Sequence, residues 1–293
     1  MYPQESSLSI TQKVYKNTLK SLKNYPVIFL PFLIFALVET MALIFIYSFP
    51  RTPLILVFGP PIRTLWGEAF LHYPANFLLL PKLASLSRMG LTIFLGSLLT
   101  GMTMFIILDI YNKKQIKLRL AFKSALKKYL SLFTIVFIFT FLFYILVKII
   151  TIGLTKYFMS GHSRLLFIKP GIWLGPILSV INFLIAIFIQ AAFVYAIPAL
   201  IIGKEKTILS IGRSLLMFKK LCIPTLILVG LPMLIYIPLL VLNYNIAFLI
   251  DKLFPEFILL VIFLGTIISS LIIDPLVTVS TALLYLAEKD QIK

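Results

Sequence analysis

The sequence predicts an all-α, polytopic helical membrane protein with about six transmembrane helices and basic amphipathic interfacial helices on the cytoplasmic side. Three observations lead there. Of 293 residues, 60% are hydrophobic and 13% are charged, about half the charged share of a soluble domain. Mean hydropathy is +1.05. The apolar residues come in runs of about 20 or more, the length a helix needs to cross a ~30 Å hydrocarbon core, and most of the 27 Lys and Arg lie between those runs. This composition has too little polar surface for a soluble globule. The 26 Phe and 13 Tyr must be buried, which excludes a disordered chain. Barrel strands are excluded because the runs are too long and do not alternate.

The whole chain, 1–293, reads as a single membrane domain. Six runs meet the length requirement, at about 26–49, 91–111, 130–152, 174–202, 221–244 and 257–286. The first is longer than a signal-peptide core and follows about 25 more polar residues, so cleavage is not expected. Orientation follows from the basic residues. Lys13, Lys16, Lys20 and Lys23 precede the first run, and Lys113, Lys114, Lys117, Arg119, Lys123, Lys127 and Lys128 separate the second from the third. Lys204, Lys206, Arg213, Lys219 and Lys220 separate the fourth from the fifth, and Lys289 and Lys293 close the chain. The positive-inside rule puts all of these, and both termini, in the cytoplasm, with the protein in the cell (inner) membrane.

The segments on that side have helical periodicity. Ile10, Val14, Tyr15, Leu19 and Leu22 fall opposite lysines 13, 16, 20 and 23. Leu118, Phe122, Ala125, Leu126 and Tyr129 fall opposite Lys117, Lys127 and Lys128. Ile208, Ile211, Leu215 and Phe218 fall opposite Lys206, Ser210, Arg213 and Lys220. Each is an interfacial helix lying on the headgroups or a connector packed under the bundle, and the two readings are compatible. Lys20-Ser21, Lys123-Ser124 and Arg213-Ser214 recur at similar positions, dividing the chain into possible repeat units 8–111, 112–202 and 203–288. Any repeat axis would then run along the membrane normal.

Ala196-Ile197-Pro198-Ala199-Leu200, the Arg213-Ser214-Leu215 core of Ile208–Lys220, and Pro275 through Ala282-Leu283-Leu284-Tyr285-Leu286 resemble the six-helix membrane domain fused to bacterial glycerophosphoryl diester phosphodiesterases and its free-standing uncharacterised relatives. Where relatives often continue with an aspartate and arginines, this chain has Ala287-Glu288-Lys289. The resemblance implies a six-helix inner-membrane fold. It does not imply phosphodiesterase activity, which belongs to a separate soluble domain.

Nucleotide-binding, zinc-protease and nucleophile-elbow signatures are missing, so no enzyme, cofactor or metal is expected. His72 and His162 fall in predicted outer loops without an acidic pair to complete a metal site. Cys222, the single cysteine, sits in an apolar run and reads as packing. The acids inside the runs are the sharper feature. Glu39 lies mid-run and Asp274 directly precedes Pro275, both roughly 15–20 Å deep at 1.5 Å per residue. A carboxylate there costs about 2.5–3.5 kcal/mol, and no basic residue falls within the expected spans at that depth to neutralise it. Two readings stay open: a polar or proton-coupled site, or carboxyls hydrogen-bonded across helices for structure.

Asn182 and Gln190 in the fourth run, and Pro224, Pro232 and Pro238 in the fifth, fit either a kinked, cavity-lining bundle or an ordinary one. Gly96/Thr100, Ser97/Gly101, Gly265/Ser269 and Thr266/Ser270 have the spacing of close helix packing. The first outer loop, about 50–90, carries six of the 17 prolines with apolar runs at 54–58 and 77–80. It is expected to lie in the outer interface, as a cap or a lid.

The leading expectation is a non-enzymatic integral membrane protein that acts on or organises anionic lipids or membrane-associated partners. Anionic phospholipids would be held by Lys16, Lys20, Lys23, Lys117, Lys123, Lys127, Lys128, Lys206, Arg213 and Lys220, possible protein partners are other membrane proteins, and nucleic acid is not expected. The alternative is a transporter or lipid translocator using Glu39, Asp274, Asn182 and Gln190 as an intramembrane polar site.

Overall fold

The computed structural model describes residues 7–159 and 170–291, and among them the chain is helical, with no strand. Long apolar runs in lipid must satisfy their backbone groups internally, which helices do. Five helical stretches are long and apolar enough to cross a membrane: Pro26–Tyr47, Asn76–Tyr111, Tyr129–Lys156, Gly175–Ile201 and Phe257–Asp290. A sixth crossing exists only as a bent arrangement.

Helix α1 (Ser7–Asn24) stops at Tyr25, whose non-helical backbone is what a residue before proline prefers. A 3-10 turn at Pro26–Ile28 then leads into α2 (Phe29–Tyr47). After α3 (Leu54–Leu65), α4 (Asn76–Leu91) runs through a π-helical turn at Thr92–Gly96 into α5 (Ser97–Tyr111). Next come α6 (Leu118–Lys127), α7 (Tyr129–Met159), α8 (Pro170–Phe193) and the short α9 (Ala196–Ile201). Helix α10 (Thr207–Lys220) meets α11 (Cys222–Leu234) at 98°. Helices α12 (Ile237–Tyr244), α13 (Ile246–Lys252) and α14 (Phe257–Ile268) follow. A second π turn, Ser269–Ile273, joins α14 to α15 (Asp274–Gln291). Pro275 has no N–H for the Leu271 carbonyl four residues earlier, and the wider π turn accommodates that missing bond.

One hydrophobic cluster ties three amphipathic helices to one end of the bundle. Ile10, Val14 and Leu22 of α1, Ala121 and Ala125 of α6, and Met217 of α10 join Phe32, Met104, Ile106, Leu132, Leu200 and Leu284. We call this end the collar. Lys128 Nζ donates to Leu200 O at 2.9 Å and Lys289 Nζ to Ile202 O at 2.6 Å. Both carbonyls lie at the end of α9, where a helix leaves acceptors unpaired and favours cations. Lys220 pairs with Glu288. The opposite end holds a separate cluster of Leu43, Phe77, Leu80 and Ile258.

Two sequence expectations are corrected. The helix that carries the second run begins at Asn76, well ahead of 91, because Phe77, Leu79 and Leu80 are buried and carry it through Lys82 and Arg88. The expected outer loop is therefore largely helix, with α3 and α4 occupying most of it. The fifth run is not continuous. Helix α11 has 13 residues, about 20 Å at 1.5 Å per residue, and breaks at Ile235–Tyr236 before Pro238 in the first turn of α12.

Helix α10 meets the bundle through its small residues. Ser210, Ser214 and Met217 are buried, whereas Ile208 is 83% exposed and Leu215 and Leu216 also face outward. Serine is small enough to bring α10 against the break between α8 and α9. There Ser214 Oγ donates to Ala192 O at 2.7 Å and accepts from Tyr195 N at 3.2 Å, satisfying backbone groups that the break releases. Helix α6 behaves similarly: alanines 121 and 125 face inward while Phe122 and Leu126 stay exposed.

Candidate functional site

Three helical units converge on one charged cluster. Glu39 projects from the middle of α2, Arg88 from the last turn of α4, and Asp274 opens α15 directly after the π turn. Arg88 Nε lies 3.1 Å from Glu39 Oε1, and Arg88 Nη2 lies 3.9 Å from Asp274 Oδ2. The π turn supplies two hydroxyls. Ser270 Oγ donates to Glu39 Oε2 at 2.6 Å, and Arg88 Nη2 donates to Ser269 Oγ. Glu39 is almost wholly enclosed, its side chain 3% exposed, while Arg88 and Asp274 keep 32% and 34%. One guanidinium thus serves two carboxyl groups, tightly on one side and loosely on the other.

Arg88 and Asp274 line two different cavities. The first, of about 190 Å³, is lined by Phe32, Phe35, Thr100, Gln190, Asp274 and Thr278, among others. The second, of about 320 Å³, is lined by Glu39, Ser85, Arg88, Tyr236, Asn243 and Thr266, among others. Their order along the helices is the same three times over. On α2, Pro31 to Phe35 line the first cavity and Glu39 to Ile46 the second. Along α4 and α5, Pro81 to Leu91 line the second and Thr92 to Met104 the first. Along α14 and α15, Ile262 and Thr266 line the second and Asp274 to Thr281 the first. The first cavity is therefore nearer the collar, whose cluster includes Phe32 and Met104. The charged cluster stands between the two cavities.

The expected site residues separate under this geometry. Glu39 and Asp274 belong to one cluster, linked through Arg88, and Gln190 lines the collar-side cavity beside Asp274. Asn182 lines neither cavity, and its Oδ1 is buried without a hydrogen-bond partner. Asn243 lines the far cavity with an unpartnered Oδ1. The expectation that no basic residue accompanies the acids is overturned by Arg88. Its signal was present in the sequence: two mid-membrane acids require a partner, and Arg88 lies only three residues before the expected span.

On the collar, Lys16, Lys20, Lys23, Lys117, Lys123, Lys127 and Lys206 are exposed. The other three expected headgroup contacts have protein partners: Lys128 with Leu200 O, Arg213 with Glu205 at 4.0 Å, and Lys220 with Glu288. Burial, and then the charge of Lys204, holds the Lys128 ammonium below the usual lysine range. His72 is exposed, His162 lies outside the described residues, and no group of three metal-binding side chains forms among the described residues. The close-packing motifs act as spacers: a Cβ on Gly101 would overlap Leu132 Cδ1, and Gly96 and Gly265 lie against Phe35 and Tyr236.

No family model, curated protein or solved structure matches this chain.

Proposed function

We propose that this protein is a non-enzymatic membrane transport protein, and that the Glu39–Arg88–Asp274 cluster is the gate of its pathway. The observation that supports this is the stacking of two cavities along three helices with the only intramembrane ion-pair cluster among the described residues at their junction. Charged groups inside a membrane are costly and mark pathways more often than scaffolds. Discontinuous helices line such pathways, and π turns recur at functional positions. Here both π turns flank the cluster, one just after Arg88 and one just before Asp274. Substrate entering the collar-side cavity meets Asp274, the loosely held partner, while Arg88 remains anchored on Glu39.

A second reading accompanies the first and concerns the collar. Exposed Lys16, Lys20, Lys123 and Lys127 share α1 and α6 with exposed Leu19, Phe122 and Leu126, and α10 presents Ile208 and Leu216 outward. That pairing suits helices lying on anionic phospholipid in the inner membrane, with the collar and both termini cytoplasmic by the positive-inside rule.

The transport reading is tested in proteoliposomes with three labelled probe classes: small organic cations, small organic anions and headgroup-labelled phospholipids. Wild-type protein is expected to move at least one class saturably, and Asp274→Asn to abolish that movement in a folded protein. Movement of none of the three, or full activity in the variant, would overturn it.

A further inference from the structure

We propose that the collar-side cavity binds a lipophilic monocation, with Asp274 as its counter-ion; this rests on the transport reading and names its substrate class. The cavity has one charged group among its described lining residues, the Asp274 carboxylate. Phe32, Phe35, Phe139 and Phe193 line the same cavity, and aromatic faces attract cations once water is excluded. Hydroxyls of Thr100, Thr278 and Thr281 and the Gln190 amide supply polar contacts within a predominantly apolar wall. An anion would meet the carboxylate with no cation of its own on this side, because Arg88 and Glu39 line the other cavity.

The charge count of the cluster points the same way. Two carboxylates share one arginine, so with both ionised the site carries a formal charge of −1. The arginine is committed elsewhere: Nε sits 3.1 Å from Glu39, and Nη2 donates to Ser269 Oγ, leaving 3.9 Å to Asp274. No hydrogen-bond donor among the described residues reaches the Asp274 carboxylate, and its side chain, 34% exposed, is among those that line the cavity. A bound monocation supplies the missing positive charge, and its apolar body is covered by the phenylalanines. Binding also competes with the long Arg88–Asp274 contact, so occupancy of the cavity frees Arg88 to belong wholly to Glu39.

Isothermal titration calorimetry on the detergent-purified full chain tests this with benzyltrimethylammonium and benzylsulfonate, the same ring bearing opposite permanent charges. The cation is expected to bind saturably and the anion at least tenfold more weakly. Asp274→Asn should weaken the cation at least tenfold. Thr278→Leu, which fills the cavity and leaves the carboxylate in place, should do the same. Equal binding of the two probes would overturn the inference, as would wild-type affinity in both variants. Cation selectivity in the wild-type protein stands as a test even where Asp274→Asn does not fold. If the proteoliposomes move anions or phospholipids while this cavity binds no cation, the substrate class fails and the transport reading survives.

Discussion

Arg88 Nε lies 3.1 Å from Glu39 Oε1 across the interface between α4 and α2. The pair joins two helices whose sequence positions are far apart, and it neutralises an almost fully enclosed carboxylate. Removing one partner of such a pair strands the other charge, at a cost of about 3–5 kcal/mol. Arg88→Met should therefore destabilise the fold by that order, and Glu39→Gln on top of it should recover a large part. A double-mutant cycle measured by reversible denaturant unfolding in mixed micelles reads the coupling. Strictly additive effects would mean that the two groups do not interact.

Tyr15 ties the collar to the bundle. Its hydroxyl donates to the Ile227 and Leu228 carbonyls of α11 at 3.3 Å, and burial pushes the phenol up to about 12. A phenol of an unfolded chain ionises near pH 10. The folded state therefore holds its proton more tightly, so this contribution is complete below pH 10 and is lost as pH rises towards 12. Tyr15→Phe should flatten the alkaline fall in melting temperature over that window and leave its slope below pH 9 unchanged. An unchanged alkaline slope would show that other groups cause the fall.

Ser214 is the bracket at the break between α8 and α9. Ser214→Ala leaves Tyr195 N–H and the Ala192 carbonyl without their partner, which costs about 1–3 kcal/mol for a buried group. Ser210→Ala is the control, because among the described residues Ser210 Oγ bonds only to Thr207 O within its own helix. Equal losses in the two variants would contradict the bracket role.

Gly101 allows α5 to approach α7. An alanine there would overlap Leu132 Cδ1, and overpacking of this kind costs about 1–3 kcal/mol. Leu132→Ala should relieve Gly101→Ala. Thermal unfolding of the two single variants and the double variant decides it, and a double variant no better than Gly101→Ala would contradict the contact.

The helical class was legible because uninterrupted apolar length is a strong signal: five stretches satisfy it directly. The collar face was less legible. Periodicity separates an apolar face from a basic one without saying which meets the bundle, and α10 packs through Ser210 and Ser214, because close approach to a broken helix favours small hydrogen-bonding side chains over bulky ones. Of the site, Glu39 and Asp274 stood out by their cost in an apolar run. Arg88 was hidden by the criterion that found them. Lys82 and Arg88 interrupt the run, so hydropathy trimmed the second crossing, and the 36-residue helix Asn76–Tyr111 exceeds what spanning alone requires. The cavities were not legible, since their walls are assembled from helices that meet only in the fold.

On the transport reading, the Glu39–Arg88–Asp274 cluster closes the path between the two cavities, and each cavity is reached from its own side of the membrane. In a Cys222→Ser background, Ser85→Cys probes the far cavity and Thr278→Cys the collar-side one. A membrane-impermeant thiol reagent applied to oriented membranes should label each from its own side only, and Arg88→Met should make Thr278→Cys reachable from both. Labelling of both cysteines from the same side in the protein with Arg88 intact would contradict a gate at this cluster.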